Sequence, residues 1–136
     1  MRSRILQHFA CGAAWTARIR RIEWQRSAGE LGALLREARL VKELQPRFNR
    51  ARRGAGPLEP PAWPYPGPLG IVETDASREA TEVHVVDRWC YLGTARSDAD
   101  VAELLECREP RFDCDDYRIL ARHFGRRGVR TVRLAA

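Results

Sequence analysis

Residues 27–50, which read SAGELGALLREARLVKELQPRFNR, carry the clearest pattern in the chain and predict a helix followed by a turn. Ser27 with Glu30 three positions later matches a capping box, in which two side chains satisfy free amide groups of the first helical turn. Pro46 has no amide hydrogen and cannot continue a helix. The sequence therefore predicts a helix that begins near Ser27 and ends before Pro46.

The apolar residues of this helix recur at helical spacing. The main stripe consists of Leu31, Leu34, Leu35, Ala38 and Val41. Leu40 and Leu44 widen the apolar surface beyond the share that a surface helix usually has. We therefore expect the helix to be covered on more than one side.

Glu37 is unusual in this helix because no cation lies three or four positions away from it. Residues at those distances are the ones with which a helical glutamate forms an ion pair, and Glu43 has two such arginines. One interpretation is a half-exposed glutamate at the edge of the apolar stripe. The alternative is a carboxylate held in an apolar wall for a metal ion or a distant arginine.

The helix and its flanking segments resemble the GIY-YIG nuclease family. Residues 33–42 (ALLREARLVK) and 45–49 (QPRFN) are similar to the family segment "ALLLEanLIKq…PrYN". Residues 1–9 (MRSRILQHF) resemble its "LrxRVxxyF" helix, and residues 21–24 (RIEW) resemble its "ieWv" strand. The likeness is strongest to the branch that comprises the GIY-YIG component of excinuclease ABC, the Cho excinucleases and modules fused to epsilon-like exonucleases.

This resemblance implies a DNA endonuclease that hydrolyses phosphodiester bonds in nucleotide excision repair. It implies that Glu37 binds a single Mg²⁺ or Mn²⁺ ion, that Arg4 stabilises charge on the phosphate, and that Asn49 closes the motif. The family's Gly-Ile-Tyr and Tyr-Ile-Gly strands would lie before residue 1. We therefore expect a partial nuclease domain, weak or inactive as this chain. The alternative is a non-catalytic remnant that binds DNA or a protein.

The positive charge is concentrated in the first third of the chain. Residues 1–53 hold thirteen basic and four acidic residues, whereas residues 54–136 hold eleven basic and fourteen acidic ones. Nearly all the basic residues are arginines, which suit bidentate contacts with phosphate. The side chains predicted to bind DNA are Lys42, Arg47, Arg50, Arg52 and Arg53. The alternative is a solvated run of charge beside a linker.

A proline-rich segment divides the chain. Residues 54–68 hold six prolines and three glycines, which predicts a stiff linker between a partial nuclease domain at 1–53 and a module at 69–136. Trp63 and Tyr65 are expected to pack this linker onto a neighbouring domain. In the first domain we predict a helix at residues 2–10 and a strand at residues 21–25. Such a strand must pair with another or leave an exposed edge.

The module at 69–136 has the pattern of an α+β fold with a small antiparallel sheet and two helices. Strands are predicted at residues 69–74, 81–86, 89–92 and 129–134. Ser97 with Asp100 predicts the start of one helix. Asp113 predicts the start of the other, which ends at Gly125.

Three aspartates, at positions 113, 115 and 116, offer a competing site for a divalent metal. Acidic residues at a helix start more often serve as caps, so we favour a structural role. His84 and Cys90 lie in apolar strands and are expected to be packed core residues.

No stretch has transmembrane length, and the four cysteines form no Cys-x-x-Cys pair. We therefore expect a cytoplasmic protein with reduced cysteines. The expected partners are DNA and other repair proteins or an exonuclease domain, with no membrane.

Overall fold

The computed structural model describes residues 10, 16–46, 59–107 and 109–135, which contain three α-helices and one four-stranded sheet. The helices are α1 (Glu30–Leu44), α2 (Asp98–Cys107) and α3 (Cys114–Phe124). The strands are β1 (Leu69–Asp75), β2 (Ala80–Asp87), β3 (Cys90–Ala95) and β4 (Thr131–Arg133), and residues Thr16–Arg18 form a short 3₁₀ helix. The predicted α+β fold is confirmed.

The sheet is antiparallel with the strand order β3-β2-β1-β4. In the pairing of β1 with β2, Leu69 lies opposite Val86 and Asp75 lies opposite Ala80. The short strand β4 pairs with the beginning of β1, where Arg133 lies opposite Leu69. The chain segment after α3 is therefore fixed at one edge of the sheet.

Helices α1 and α3 cover one face of the sheet. The buried cluster on this face consists of Leu31, Leu35, Ile71, Val86, Trp89 and Leu120. Because side chains alternate along a strand, Val85 points to the opposite face, where Leu92, Ala95 and residues of α2 pack around it. A Cβ atom at Gly93 would lie 2.5 Å from a methyl carbon of Leu104, so the small residue permits the close approach of α2.

The described part of the proline-rich segment packs onto the core, as the sequence predicted. The ring of Trp63 lies 5.1 Å from that of Trp89 and 6.2 Å from that of Phe124. The indole N–H of Trp63 donates to the carbonyl of Gly67 at 3.0 Å, and that of Trp89 donates to the carbonyl of Pro61 at 2.9 Å. Both indoles are therefore hydrogen-bonded as well as packed.

The predicted starts of α2 and α3 are confirmed. The carboxylate of Asp113 accepts hydrogen bonds from the amides of Asp115 and Asp116 at 2.9 and 3.1 Å. At α2, the amide of Asp100 donates to the Ser97 hydroxyl at 3.2 Å. The Asp100 carboxylate accepts in return from the Ser97 amide at 3.1 Å.

The predicted capping box of α1 is wrong. The hydroxyl of Ser27 donates to the carbonyl of Gly29 at 3.0 Å, and the carboxylate of Glu30 accepts hydrogen bonds from Arg126. The N-cap residue is Gly29, which has no side chain to offer. The amides of the first turn bond to the sheet instead.

The predicted strand at residues 21–25 is also wrong. These residues form no strand, and the side chains of Ile22 and Trp24 are 51% and 60% exposed. A strand needs a hydrogen-bonded neighbour, and no strand of the described ranges pairs with this segment. The predicted helix at residues 2–10 lies outside the described residues except for Ala10. The domain boundaries at residues 53 and 68 stay a prediction.

Candidate functional site

Two glutamates of the sheet hold the beginning of α1. The amides of Leu31 and Gly32 donate to the two carboxylate oxygens of Glu73, each at 2.8 Å. The amide of Ala28 donates to Glu82 at 2.9 Å. The first amides of a helix have no partner within the helix, and its positive dipole end favours carboxylates. The sheet therefore supplies the cap that the helix's own sequence does not.

Glu73 also accepts from the imidazole of His84, which is fully buried. The Nε2 atom of His84 lies 3.0 Å from Glu73, and Nδ1 lies 2.9 Å from the hydroxyl of Thr94. The hydrogens are assigned from this network: Nε2–H donates to the Glu73 carboxylate, and Nδ1 accepts from the Thr94 hydroxyl. The Thr94 hydroxyl in turn accepts from the hydroxyl of Tyr91. The prediction that His84 is a packed core histidine is confirmed.

The pKa of Glu73 shows that its charge is stabilised. Burial acts to raise the pKa, but hydrogen bonds from His84 and the amides of Gly32 and Leu31 outweigh it and lower the pKa from 4.5 to about 2. Its oxygens already accept three hydrogen bonds, so Glu73 has little capacity for acid–base chemistry. This cluster is a structural joint between α1 and the sheet.

Glu82 extends this joint on the same face of β2. Its side chain is 5% exposed and lies 2.7 Å from Arg96 and 4.0 Å from Arg36 of α1. Burial opposes ionisation, but the Ala28 amide and Arg96 lower the pKa of this carboxyl below its ordinary value. The beginning of α1 therefore rests on two ionised carboxylates.

Glu37 lies away from this joint. Its side chain is exposed and, within the part of the chain that the structure describes, forms no hydrogen bond or ion pair. Leu40 and Leu44, three and seven positions further along the helix, are 39% and 70% exposed. The expectation that α1 is covered on more than one side is therefore wrong for these residues. Within the described ranges, Glu37 is therefore an unpaired carboxylate beside exposed apolar side chains.

The side chain of Lys42, near the end of α1, reaches the start of α3. Its ammonium group hydrogen-bonds to Asp113 and lies 3.9 and 3.7 Å from carboxylate oxygens of Asp115 and Asp116. Burial acts to lower the pKa of Lys42, but the three aspartates raise it above its ordinary value. The ion pairs attach α1 to the start of α3. The role of Lys42 in DNA binding stays a prediction.

The other predicted site residues lie outside the described ranges. They are Arg4, Arg47, Asn49, Arg50, Arg52 and Arg53. Their roles in a site with Glu37 stay a prediction. Among residues 10, 16–46, 59–107 and 109–135, no group of three or more His, Cys, Asp or Glu side chains is arranged to hold a metal ion.

The sequence prediction missed a second concentration of positive charge. After Asp116 the chain contains six arginines and no acidic residue. The charge count over residues 54–136 as one block did not reveal this excess, because the acidic residues earlier in that block offset it. A running count over twenty residues would have found it. Five of these arginines are exposed in the structure, namely Arg122, Arg126, Arg127, Arg130 and Arg133.

None of the helices in the described ranges has the length and apolar character needed to cross a membrane.

Comparisons with known proteins agree with the resemblance to the Cho branch. The family model for the excinuclease Cho C-terminal domain matches residues 68–136. The chain is 53% identical over 55 residues to "Excinuclease cho" of Salmonella typhi and of Escherichia coli strain K12. The corresponding protein of Salmonella typhimurium strain LT2 is 51% identical over 55 residues.

These alignments cover 39% of this chain and 19% of each relative, so the match spans about a fifth of the relatives' length. No solved structure matches the chain significantly. The family model covers half of the chain and includes all four strands together with α2 and α3. The chain therefore belongs to the family of the excinuclease Cho C-terminal domain.

Proposed function

We propose that this chain is part of an excinuclease-type DNA endonuclease of the cytoplasm, in which Glu37 binds the divalent ion required for phosphodiester hydrolysis. Membership of the Cho family supports a nuclease-related role in DNA repair. The observation that carries the proposal is the carboxylate of Glu37, which is exposed and, in the described ranges, unpaired, on a helix anchored to the Cho C-terminal module. The anchor fixes the position of Glu37 relative to that module.

The side chain of Glu37 fits a site for Mg²⁺ or Mn²⁺ in which DNA supplies further ligands. Magnesium is commonly bound by one or two carboxylates together with substrate phosphates and water. When bound, such an ion neutralises charge that develops on the phosphate oxygens. In this proposal Arg4 stabilises the same charge, and Asn49 belongs to the same site.

The exposed leucines beside Glu37 support a larger assembly on this face. Leu40 and Leu44 present apolar surface to solvent along the same side of α1 as Glu37. Covering them with the strands that the GIY-YIG resemblance implies would exclude water around the carboxylate. In this proposal, DNA and repair proteins, or a fused exonuclease domain, bind the protein when those strands cover this side of α1.

The proposal is tested by nicking of supercoiled plasmid in Mg²⁺. The chain is joined behind the amino-terminal portion of an excinuclease cho relative, and Glu37→Ala is compared with Glu43→Ala. We expect Glu37→Ala to lower the nicking rate at least ~100-fold, or ~2.7 kcal/mol of barrier. The matched control removes an exposed glutamate paired with Arg39 on the same helix and should keep the rate. Undiminished nicking by Glu37→Ala would refute the assignment.

A second candidate function is a non-catalytic DNA-binding or protein-interaction remnant. It is favoured by the excess of positive charge in residues 1–53, which hold thirteen basic and four acidic residues. This function predicts duplex binding that weakens with salt, and no Mg²⁺-dependent nicking even by the joined protein. Nicking that depends on Glu37 would exclude it.

A further inference from the structure

Strand β4 forms one edge of the sheet, and no strand of the described ranges lies beyond it. In an antiparallel pair, the backbone groups of alternate residues point toward the partner strand, and those of the residues between them point away. The carbonyl of Arg130 accepts from the β1 amide of Val72 at 2.9 Å, and the amide of Leu134 donates to the carbonyl just before β1 at 3.2 Å. The amides and carbonyls of Thr131 and Arg133 therefore point to the open edge.

The side chains of β4 are divided between the two faces of the sheet. Arg133 lies opposite Leu69, on the face that carries α1 and α3, and Val132 lies opposite Gly70, on the face that carries α2. Because side chains alternate along a strand, Arg130 shares the face of Val132. The two arginines are exposed, and Val132 is 43% exposed. A strand added at this edge would therefore meet an arginine on each face and an apolar side chain on one of them.

A cavity of about 300 Å³ adjoins the end of β4. It lies between Arg133 and Leu134 on one side and residues 65–69 (YPGPL) on the other. The lining side chains are one tyrosine, two prolines, two leucines and one arginine. Peptides that add to a sheet edge gain affinity from main-chain hydrogen bonds and specificity from pockets for alternate side chains. This cavity suits an apolar side chain next to a carboxylate.

The charge of this edge favours an acidic partner segment. Arg130 and Arg133 form no ion pair in the described ranges, and no acidic residue occurs after Asp116. Opposite charges across a strand pair stabilise it, whereas like charges destabilise it. Pairing two copies of β4 would bring four arginines to one seam, which disfavours a second copy of this chain. The exposed Val132 and the cavity add apolar surface that a phosphate backbone would leave uncovered.

We propose that β4 binds an extended segment of a partner protein as a fifth strand of the sheet. The binding surface, which we call the β4 edge, comprises the outer backbone of Thr131 and Arg133 and the side chains of Arg130, Val132 and Arg133. The expected partner pattern is acidic, variable, apolar and acidic, opposite residues 130 to 133 in turn. The surface lies on the Cho C-terminal module and does not depend on Glu37.

The test selects peptides that bind the 136-residue chain from a random 12-residue library displayed on phage. We expect the selected peptides to share the pattern acidic, variable, apolar and acidic, in one direction or the other. One selected peptide is then synthesised with a fluorescent label, and its Kd is measured by anisotropy. Failure to enrich any peptide over an uncoated surface, or enrichment of peptides without this pattern, would overturn the proposal.

The outward backbone is tested by Thr131→Pro. This change removes an amide that points to the open edge and leaves the hydrogen bonds between β4 and β1 in place, so Kd should rise at least about tenfold. The matched control, Thr131→Ala, removes the side chain but keeps the amide and should bind as the wild type does. Equal affinity of the two variants would overturn the proposal.

A second pair of variants tests the charge without altering the backbone. Arg130→Gln combined with Arg133→Gln should raise Kd at least about threefold, because two cross-strand ion pairs are lost. The control combines Arg78→Gln with Arg111→Gln, which removes the same charge from exposed positions outside β4. In 0.15 M NaCl the control should keep the wild-type Kd, since distant charges are screened. An equal rise in both variants would overturn the proposal, because it would reflect net charge alone.

Other occupants of the β4 edge would give different results. Self-association of the wild type that Thr131→Pro abolishes would assign the edge to a second copy of the chain. Displacement of the labelled peptide by duplex DNA at lower concentration than by unlabelled peptide would assign it to nucleic acid. Either result would overturn the proposal. Glu37→Ala should bind the peptide as the wild type does, so the β4 edge and the metal site can fail separately.

Discussion

The two sides of helix α1 meet opposite environments. On the inward side, Leu31 and Leu35 are each 1% exposed, and the first amides bond to Glu73. On the outward side, Glu37 is exposed and unpaired in the described ranges, and Leu44 is 70% exposed. The inward side stabilises the fold, whereas the outward side contributes little to stability and is available for function.

The largest expected effect tests the core on the inward side. Leu35→Ala removes a buried side chain and should lower the free energy of unfolding by ~2–5 kcal/mol. Leu44→Ala, the matched change on the outward side, should alter it by less than ~0.5 kcal/mol. Urea unfolding monitored by tryptophan fluorescence measures both. Equal losses in the two variants would contradict the comparison.

The next effect concerns the cap that the sheet gives to α1. Glu73→Gln leaves one oxygen where two carboxylate oxygens accept from Leu31, Gly32 and His84. We expect a loss of ~1–3 kcal/mol, because at least one buried donor loses its partner. Glu103→Gln changes an exposed glutamate of α2 and serves as the control in urea unfolding. A Glu73→Gln protein as stable as this control would show that the joint contributes nothing.

The same joint predicts a dependence of stability on pH. The folded pKa of Glu73 is about 2, below its ordinary value of 4.5. A lowered pKa means that the unfolded chain binds the proton more tightly, so stability is present above pH 4.5 and falls as pH decreases toward 2. The pKa of Glu82 is also lowered in the folded protein, so this residue adds a further loss of stability as pH decreases. Urea midpoints measured across this range should fall less steeply for Glu73→Gln, and identical slopes would contradict the account.

A smaller effect is expected at the other end of α1. Lys42→Ala removes ion pairs with the start of α3 that are partly exposed to solvent, and should cost about 0.5–1 kcal/mol. Arg39→Ala removes the surface pair with Glu43 on the same helix and should cost about 0.3–0.5 kcal/mol. Thermal unfolding of both variants compares the two contributions. A larger loss for Arg39→Ala would reverse the expected order.

The sequence predicted those features that depend on neighbouring residues. Asp113 caps its own helix, and Ser97 exchanges hydrogen bonds with Asp100, so spacing along the chain was sufficient. The predicted strands begin and end within about three residues of the observed ones, because their side chains alternate between the two faces of the sheet.

Contacts between distant residues could not be predicted in this way. The cap of α1 comes from Glu73, about forty positions further along the chain, so the local Ser27–Glu30 pattern was misleading. The strand expected at residues 21–25 depended on partners that no pattern in this sequence supplies. In the candidate site, the unusual position of Glu37 was visible from spacing. Its exposure depended on where the sheet lies relative to α1.

The most direct test of the contrast between the inward and outward sides of α1 is the free energy of unfolding of Glu37→Ala. It is measured with urea on the 136-residue chain. We expect a value within ~0.5 kcal/mol of the wild type, because an exposed and unpaired carboxylate contributes little to stability. A loss of ~2 kcal/mol or more would contradict the account, because it would show that Glu37 belongs to the interactions that hold the fold together.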